Sequence, residues 1–87
     1  MPADKSDIAT WFQAGKEQGA SHMLVVVDTF DFDDYPVYVA PGVDPIEVCD
    51  IYNAKEMQLV MEVYDLGLDM DVQLGQDRCY NVATKEI

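Results

Sequence analysis

A chain of 87 residues forms one domain, 1–87, and buries about 60–65% of the surface its unfolded form exposes. An apolar fraction of 49%, with three Phe, five Tyr and one Trp, excludes a disordered acidic tail, and no run reaches the roughly 18 apolar residues that cross a bilayer. Seventeen acidic residues against five basic ones leave a net charge of -12, which excludes direct binding to DNA, RNA or an anionic membrane, each of the same sign.

The first residues, MPADKSDIATWF, contain no apolar signal core, and Cys49 and Cys79 are too few for a disulfide scaffold. A cytoplasmic protein with two reduced thiols is expected. Ser6 is placed to cap a first helix over 7–18, with Asp7 favourable at the positive end of the helix dipole. Ile8, Trp11, Phe12 and Gly15 recur at helical spacing and form its apolar stripe, and Gly19 suits the left-handed residue that follows a helix end.

His22 to Val39 reads HMLVVVDTFDFDDYPVYV. The apolar run predicts a strand over 22–29 buried on both faces, and YPVYV predicts a second over 36–40. The short connection DFDDY makes an antiparallel hairpin the economical solution, its phenylalanines tucked inward. Pro36 has no N–H to donate, so it belongs at the start of its strand or on an unpaired edge.

Asp44-Pro45-Ile46-Glu47 is a helix start, with Asp at the N-cap and Pro at the first helical position, giving a helix over 45–52. Asn53-Ala54-Lys55-Glu56 repeats the pattern, and Met57, Val60, Met61 and Tyr64 follow at helical spacing, so a helix over 54–65, or one helix broken near Asn53, is expected. In residues 66–74, Leu66, Leu68, Met70, Val72 and Leu74 alternate with polar or glycine positions, which favours a third strand. A short helix capped by Asp69 is the competing solution, since Leu66, Met70 and Leu74 also lie at i, i+4 and i+8. Beyond Gly75, Cys79, Tyr80 and Val82 are the anchors of a polar tail. The expected fold is α+β: an N-terminal helix, an antiparallel β-hairpin, two further helices, then a short strand or helix.

Few residues carry catalytic chemistry. His22 is the lone histidine, and GxSxG, CxxC, HExxH and a glycine-rich phosphate loop are missing from the chain. Arg78 beside Cys79 is the one basic neighbour that lowers a thiol pKa, and the spacing of the two cysteines and the histidine does not fit a zinc site. No enzymatic activity, cofactor or metal is expected.

The acidic hairpin connection is the candidate site. Asp28, Asp31, Asp33 and Asp34, with the aromatic pair Tyr35 and Tyr38, form a surface suited to a basic protein partner. Clustered carboxylates imitate phosphate spacing, so such a module competes for surfaces that hold nucleic acid without binding nucleic acid itself. An alternative is a Ca²⁺ or Mg²⁺ site made by the same four aspartates. Asp31-x-Asp33 begins like an EF-hand loop, but Pro36 stands where that loop needs glycine and Gly42 where it needs glutamate. A third reading is a homodimer formed through an open sheet edge beside Val37 and Val39.

The block HMLVVVDTFDFDDYPVYV, with MQLVMEVYDL downstream, resembles small acidic bacterial proteins that share a strand–DTFD–acid–YPVYV signature. That resemblance implies a compact single domain and no mechanism. In size and acidity the chain is also similar to phage and mobile-element inhibitors, the anti-CRISPR and anti-restriction proteins that act as nucleic-acid mimics.

Overall fold

Four consecutive apolar residues, Met23 to Val26, are each 2% exposed or less. Successive strand residues point to opposite faces, so a strand buries all four only when both of its faces are covered. The computed structural model, which describes residues 4–76 and 79–82, covers both. Its elements run α1 (Lys5–Glu17), β1 (His22–Asp28), β2 (Asp33–Val39), α2 (Pro45–Asn53), β3 (Gln58–Asp65) and α3 (Met70–Leu74). The sheet has the order β2-β1-β3, and both pairings are antiparallel. On one face α1 and α3 close a core around Ile8, Phe12, Met23, Val25, Tyr64 and Leu66. On the other, α2 covers Leu24, Val26, Val39, Val60 and Val63. The four central side chains of β1 contribute about 6–12 kcal/mol of gross hydrophobic stabilisation.

The expected α+β class and the hairpin are present. Helix α1 starts two residues earlier than Ser6 implies, because Asp4 is the N-cap. Its carboxylate accepts from the Asp7 N–H, and the Asp7 carboxylate accepts in return from the Asp4 N–H. Ser6 instead donates its hydroxyl to Asp4 at 2.7 Å. Gly19 takes φ +78°, the left-handed conformation expected after the helix. Phe12 meets Tyr64 edge to face at 6.3 Å between ring centroids.

Gly15 is where α1 lies closest to the sheet. A Cβ at Gly15 would sit 2.7 Å from the Tyr38 ring and 2.8 Å from a Leu66 methyl. The ring has little room to yield, because the Tyr38 hydroxyl donates to the Trp11 carbonyl oxygen at 2.8 Å. Glycine to alanine inside a helix ordinarily gains about 1 kcal/mol. Here overpacking of about 1–3 kcal/mol reverses the sign. Gly15→Ala is therefore expected to lower the urea midpoint, and a raised midpoint would show that the helix does not approach the sheet this closely.

Two elements differ from expectation. Residues 58–65 form β3 and not the C-terminal part of a helix. The register against β1 slips between Val25 and Val26, where Val25 faces Glu62 but Val26 faces Val60. The extra residue, Met61, turns strand alternation into a three-residue spacing between Val60 and Val63, which imitates a helix. Asn53, expected to cap a second helix, ends α2 and accepts the Val60 N–H on its side-chain oxygen at 2.8 Å. Residues 66–74 are not a third strand. Asp69 caps the short helix α3 by accepting from the Val72 N–H, and Met70 and Leu74 pack on the first core. Helix geometry wins because Gln73 can then reach back to both backbone groups of Asp65.

Both sheet edges are protected. Edge strand β2 carries Pro36 at its centre, opposite Val25. On the β3 side, the tail forms a parallel bridge: the Val63 N–H donates to the Cys79 oxygen, and the Asn81 N–H to the Val63 oxygen, both at 2.9 Å. Among the described residues, no helix is long and apolar enough to cross a membrane.

Candidate functional site

The hairpin connection is four residues, 29–32, because β2 begins at Asp33 and not at Pro36. The Asp28 carbonyl oxygen accepts the Phe32 N–H at 2.6 Å, and the Asp28 carboxylate accepts the Phe30 N–H at 2.8 Å. A third bond joins the hairpin to the connection before β3: the Thr29 N–H donates to the Met57 oxygen at 2.8 Å. The loop between α2 and β3 therefore lies beside the hairpin tip, and Glu56 comes with it. Sequence reading missed that contribution, since residues 54–57 are expected to be helical on local pattern alone.

The six residues predicted to bind a partner do not form one patch. Asp28 and Asp33 face each other across the strands, Asp31 stands exposed at the tip, and Asp34, next in the strand after Asp33, points to the opposite face. Tyr35 lies on the α2 face and donates its hydroxyl to the Gln58 side chain at 2.6 Å. Burial, then the neighbouring Tyr52 and the Asp28 carboxylate, push its pKa up and keep it a donor. Tyr38 sits apart, on the α1 face towards the other end of β2, where it packs against the first core. Burial raises its pKa too. The surface at the tip is thus Asp28, Asp31 and Asp33 with Tyr35 behind them, and Asp34 stands on the other face.

The phenylalanines are not tucked inward. Phe30 is 73% exposed and Phe32 66%. A four-residue connection that returns immediately into β2 leaves no space beneath itself for two rings. Phe32 is moreover in the left-handed region, with φ +59°, and so is Met57, with φ +62°. Both are bulky residues in a conformation that favours glycine or asparagine. Met57 and Leu59 are also exposed, at 56% and 44%. Four exposed apolar side chains and the hairpin aspartates therefore share this end of the sheet.

Among the described residues, no group of three or more His, Cys, Asp or Glu side chains is arranged to hold a metal ion. Strand geometry accounts for this at the tip, since it sends Asp33 and Asp34 to opposite faces. At the far end of β1, His22 is buried with Asp65, Nε2 to Oδ2 3.9 Å, and its Nδ1 lies 2.9 Å from the Ser21 hydroxyl. Asp65 also accepts the Gly67 N–H at 2.8 Å. His22 and Asp65 are both almost fully covered, so this polar group joins the start of β1 to the end of β3 and has no face open to a substrate. Both thiols are buried as well. Burial and then the Glu62 carboxylate push the Cys79 pKa up to about 11, the reverse of an activated nucleophile. Arg78, expected to lower it, lies outside the described residues.

Much of the acidity has a local structural use. Asp4, Asp44 and Asp69 cap helices, Asp65 supports a turn, and Glu62 accepts the Tyr64 hydroxyl. Comparison with protein-family models, curated proteins and solved structures finds no match for this chain.

Proposed function

We propose that the protein is a non-enzymatic binding module whose hairpin end docks on a basic protein surface, of the kind that ordinarily holds a nucleic acid. One observation carries this reading: the hydrogen bond from Thr29 to Met57 ties the connection that carries Glu56 to the hairpin end of the sheet, where Asp28, Asp31, Asp33 and Asp34 also stand. A fixed acidic surface of this kind steers association with a cationic partner and repels other anions. Pro36 on one edge and the Asn53 and tail contacts on the other favour docking through side chains over strand addition. The likeness in size and charge to phage-encoded nucleic-acid mimics places DNA- and RNA-binding proteins first among the partners to try.

Asp31→Lys combined with Asp33→Lys is expected to abolish binding to such a partner while the unfolding free energy from urea melts stays within about 0.5 kcal/mol of the parent's, since both side chains are exposed. Parent affinity should fall steeply between 50 and 200 mM salt, values chosen because they span the physiological Debye length of about 8–10 Å. Salt-insensitive binding would overturn the proposal. So would micromolar uptake of Ca²⁺ or Mg²⁺ in a calorimetric titration, which would assign the aspartates to a cation.

A further inference from the structure

Resting on the docking reading just given, we infer that Phe30 and Phe32 are the anchors of the interface, and that the partner surface is an apolar cleft flanked by lysine or arginine. Neither ring belongs to either core, and both project from a tip fixed by two backbone–backbone hydrogen bonds and a third from the Phe30 N–H to the Asp28 carboxylate. A purely electrostatic tip has no use for them. Aspartate, asparagine or glycine would make the same turn with better solubility, and glycine would remove the strain of the left-handed residue 32. Exposed aromatic side chains on a rigid support match the anatomy of binding hot spots, in which a central apolar anchor is ringed by polar groups.

Charge selects the occupant. Exposed Phe30 and Phe32 share the tip with Asp28, Asp31 and Asp33, and exposed Met57 and Leu59 lie at the same end of the sheet, Met57 bonded to Thr29 and Leu59 opposite Val27. A second copy of the chain would bring another net charge of -12 to the contact, and anionic lipid would likewise be repelled. A cationic cleft with an apolar floor satisfies both components at once: its lysines or arginines meet the carboxylates while the rings leave water.

The test uses the full chain and two synthetic peptides of equal positive charge, one alternating Lys with Leu and the other Lys with Ser. The parent is expected to bind the Lys/Leu peptide at least about tenfold more tightly, the effect of one good anchor. Phe30→Ser with Phe32→Gly should reduce Lys/Leu binding to the Lys/Ser level and leave Lys/Ser binding unchanged. The urea midpoint of that variant should equal or exceed the parent's, which separates an anchor from a folding role. Asp31→Lys with Asp33→Lys should abolish both. Equal, salt-dependent affinity for the two peptides would overturn the anchors and leave electrostatic docking standing. Binding of neither peptide at low salt would overturn both. A dimer in sedimentation that dissociates on Phe30→Ser would give the tip to a second copy and overturn the cationic cleft.

Discussion

Phe12→Ala is expected to lower the urea midpoint further than any other single substitution in α1. The ring is fully buried, forms the edge-to-face contact with Tyr64, and sits in the middle of the apolar face that α1 lays on the sheet. Truncating a buried phenylalanine costs about 3–5 kcal/mol, the lost transfer energy plus the cavity left behind. A domain of 87 residues has a total stability of about 4–13 kcal/mol, so the change removes a large share of it. Trp11, the larger aromatic on the same helix, packs only partly against that core, and Trp11→Ala should cost less. Urea melts followed by far-ultraviolet circular dichroism decide the order. A Phe12→Ala midpoint equal to the parent's would refute the packing of α1 on the sheet.

Gln73→Leu is the second large effect, and it tests a polar element of the interior. The Gln73 side chain accepts the Asp65 N–H at 2.8 Å and donates to the Asp65 oxygen at 2.9 Å. Its oxygen also accepts from the Asn81 side chain at 2.8 Å, and the Cys79 thiol is 3.6 Å away. Leucine fills the same space but removes the acceptor of the buried Asp65 N–H, while the Asp65 oxygen keeps the Leu68 N–H at 3.1 Å. Leaving such a donor without its acceptor costs about 1–3 kcal/mol. The bridge of the tail to Val63 should weaken with it, because Asn81 loses its contact. Hydrogen exchange at the Val63 and Asn81 amides should then accelerate beyond the global change in stability. A rise confined to the global term would show that Gln73 does not hold the tail.

The two misread elements share a cause. Sequence periodicity reports local pattern, whereas β3 is shaped by its partner. Val60 and Val63 both face the α2 core because Met61 is inserted between them, and nothing local distinguishes that spacing from one turn of helix. Asn53 and Glu56 look like a capping box, yet the Asn53 oxygen is used by a strand seven residues on. In 66–74 the alternation of apolar residues was genuine but uninformative, since Met70 and Leu74 satisfy a helix equally well. The candidate site was legible in part: the four hairpin aspartates are at the tip, while Tyr38 is half-buried against the first core, far from it. The apolar half of the site was hidden because exposure of Phe30 and Phe32 depends on a connection of only four residues, shorter than the pattern implied.

By itself the sequence determined the central strand, its hairpin and the two longer helices. Those elements rest on short-range chemistry: an unbroken apolar run, the cap at Asp44, and Gly19 at a left-handed position, whereas the first helix is capped by Asp4 and not by the expected Ser6. It also determined the sign of the chain's own net charge, which follows from composition. Only the tertiary structure decided that 58–65 is a strand, that 70–74 is a helix, and which carboxylates stand together. Those outcomes depend on long-range backbone pairing and on the hydrogen bonds of Thr29, Asn53 and Gln73, whose partners lie 7 to 28 residues away in the chain.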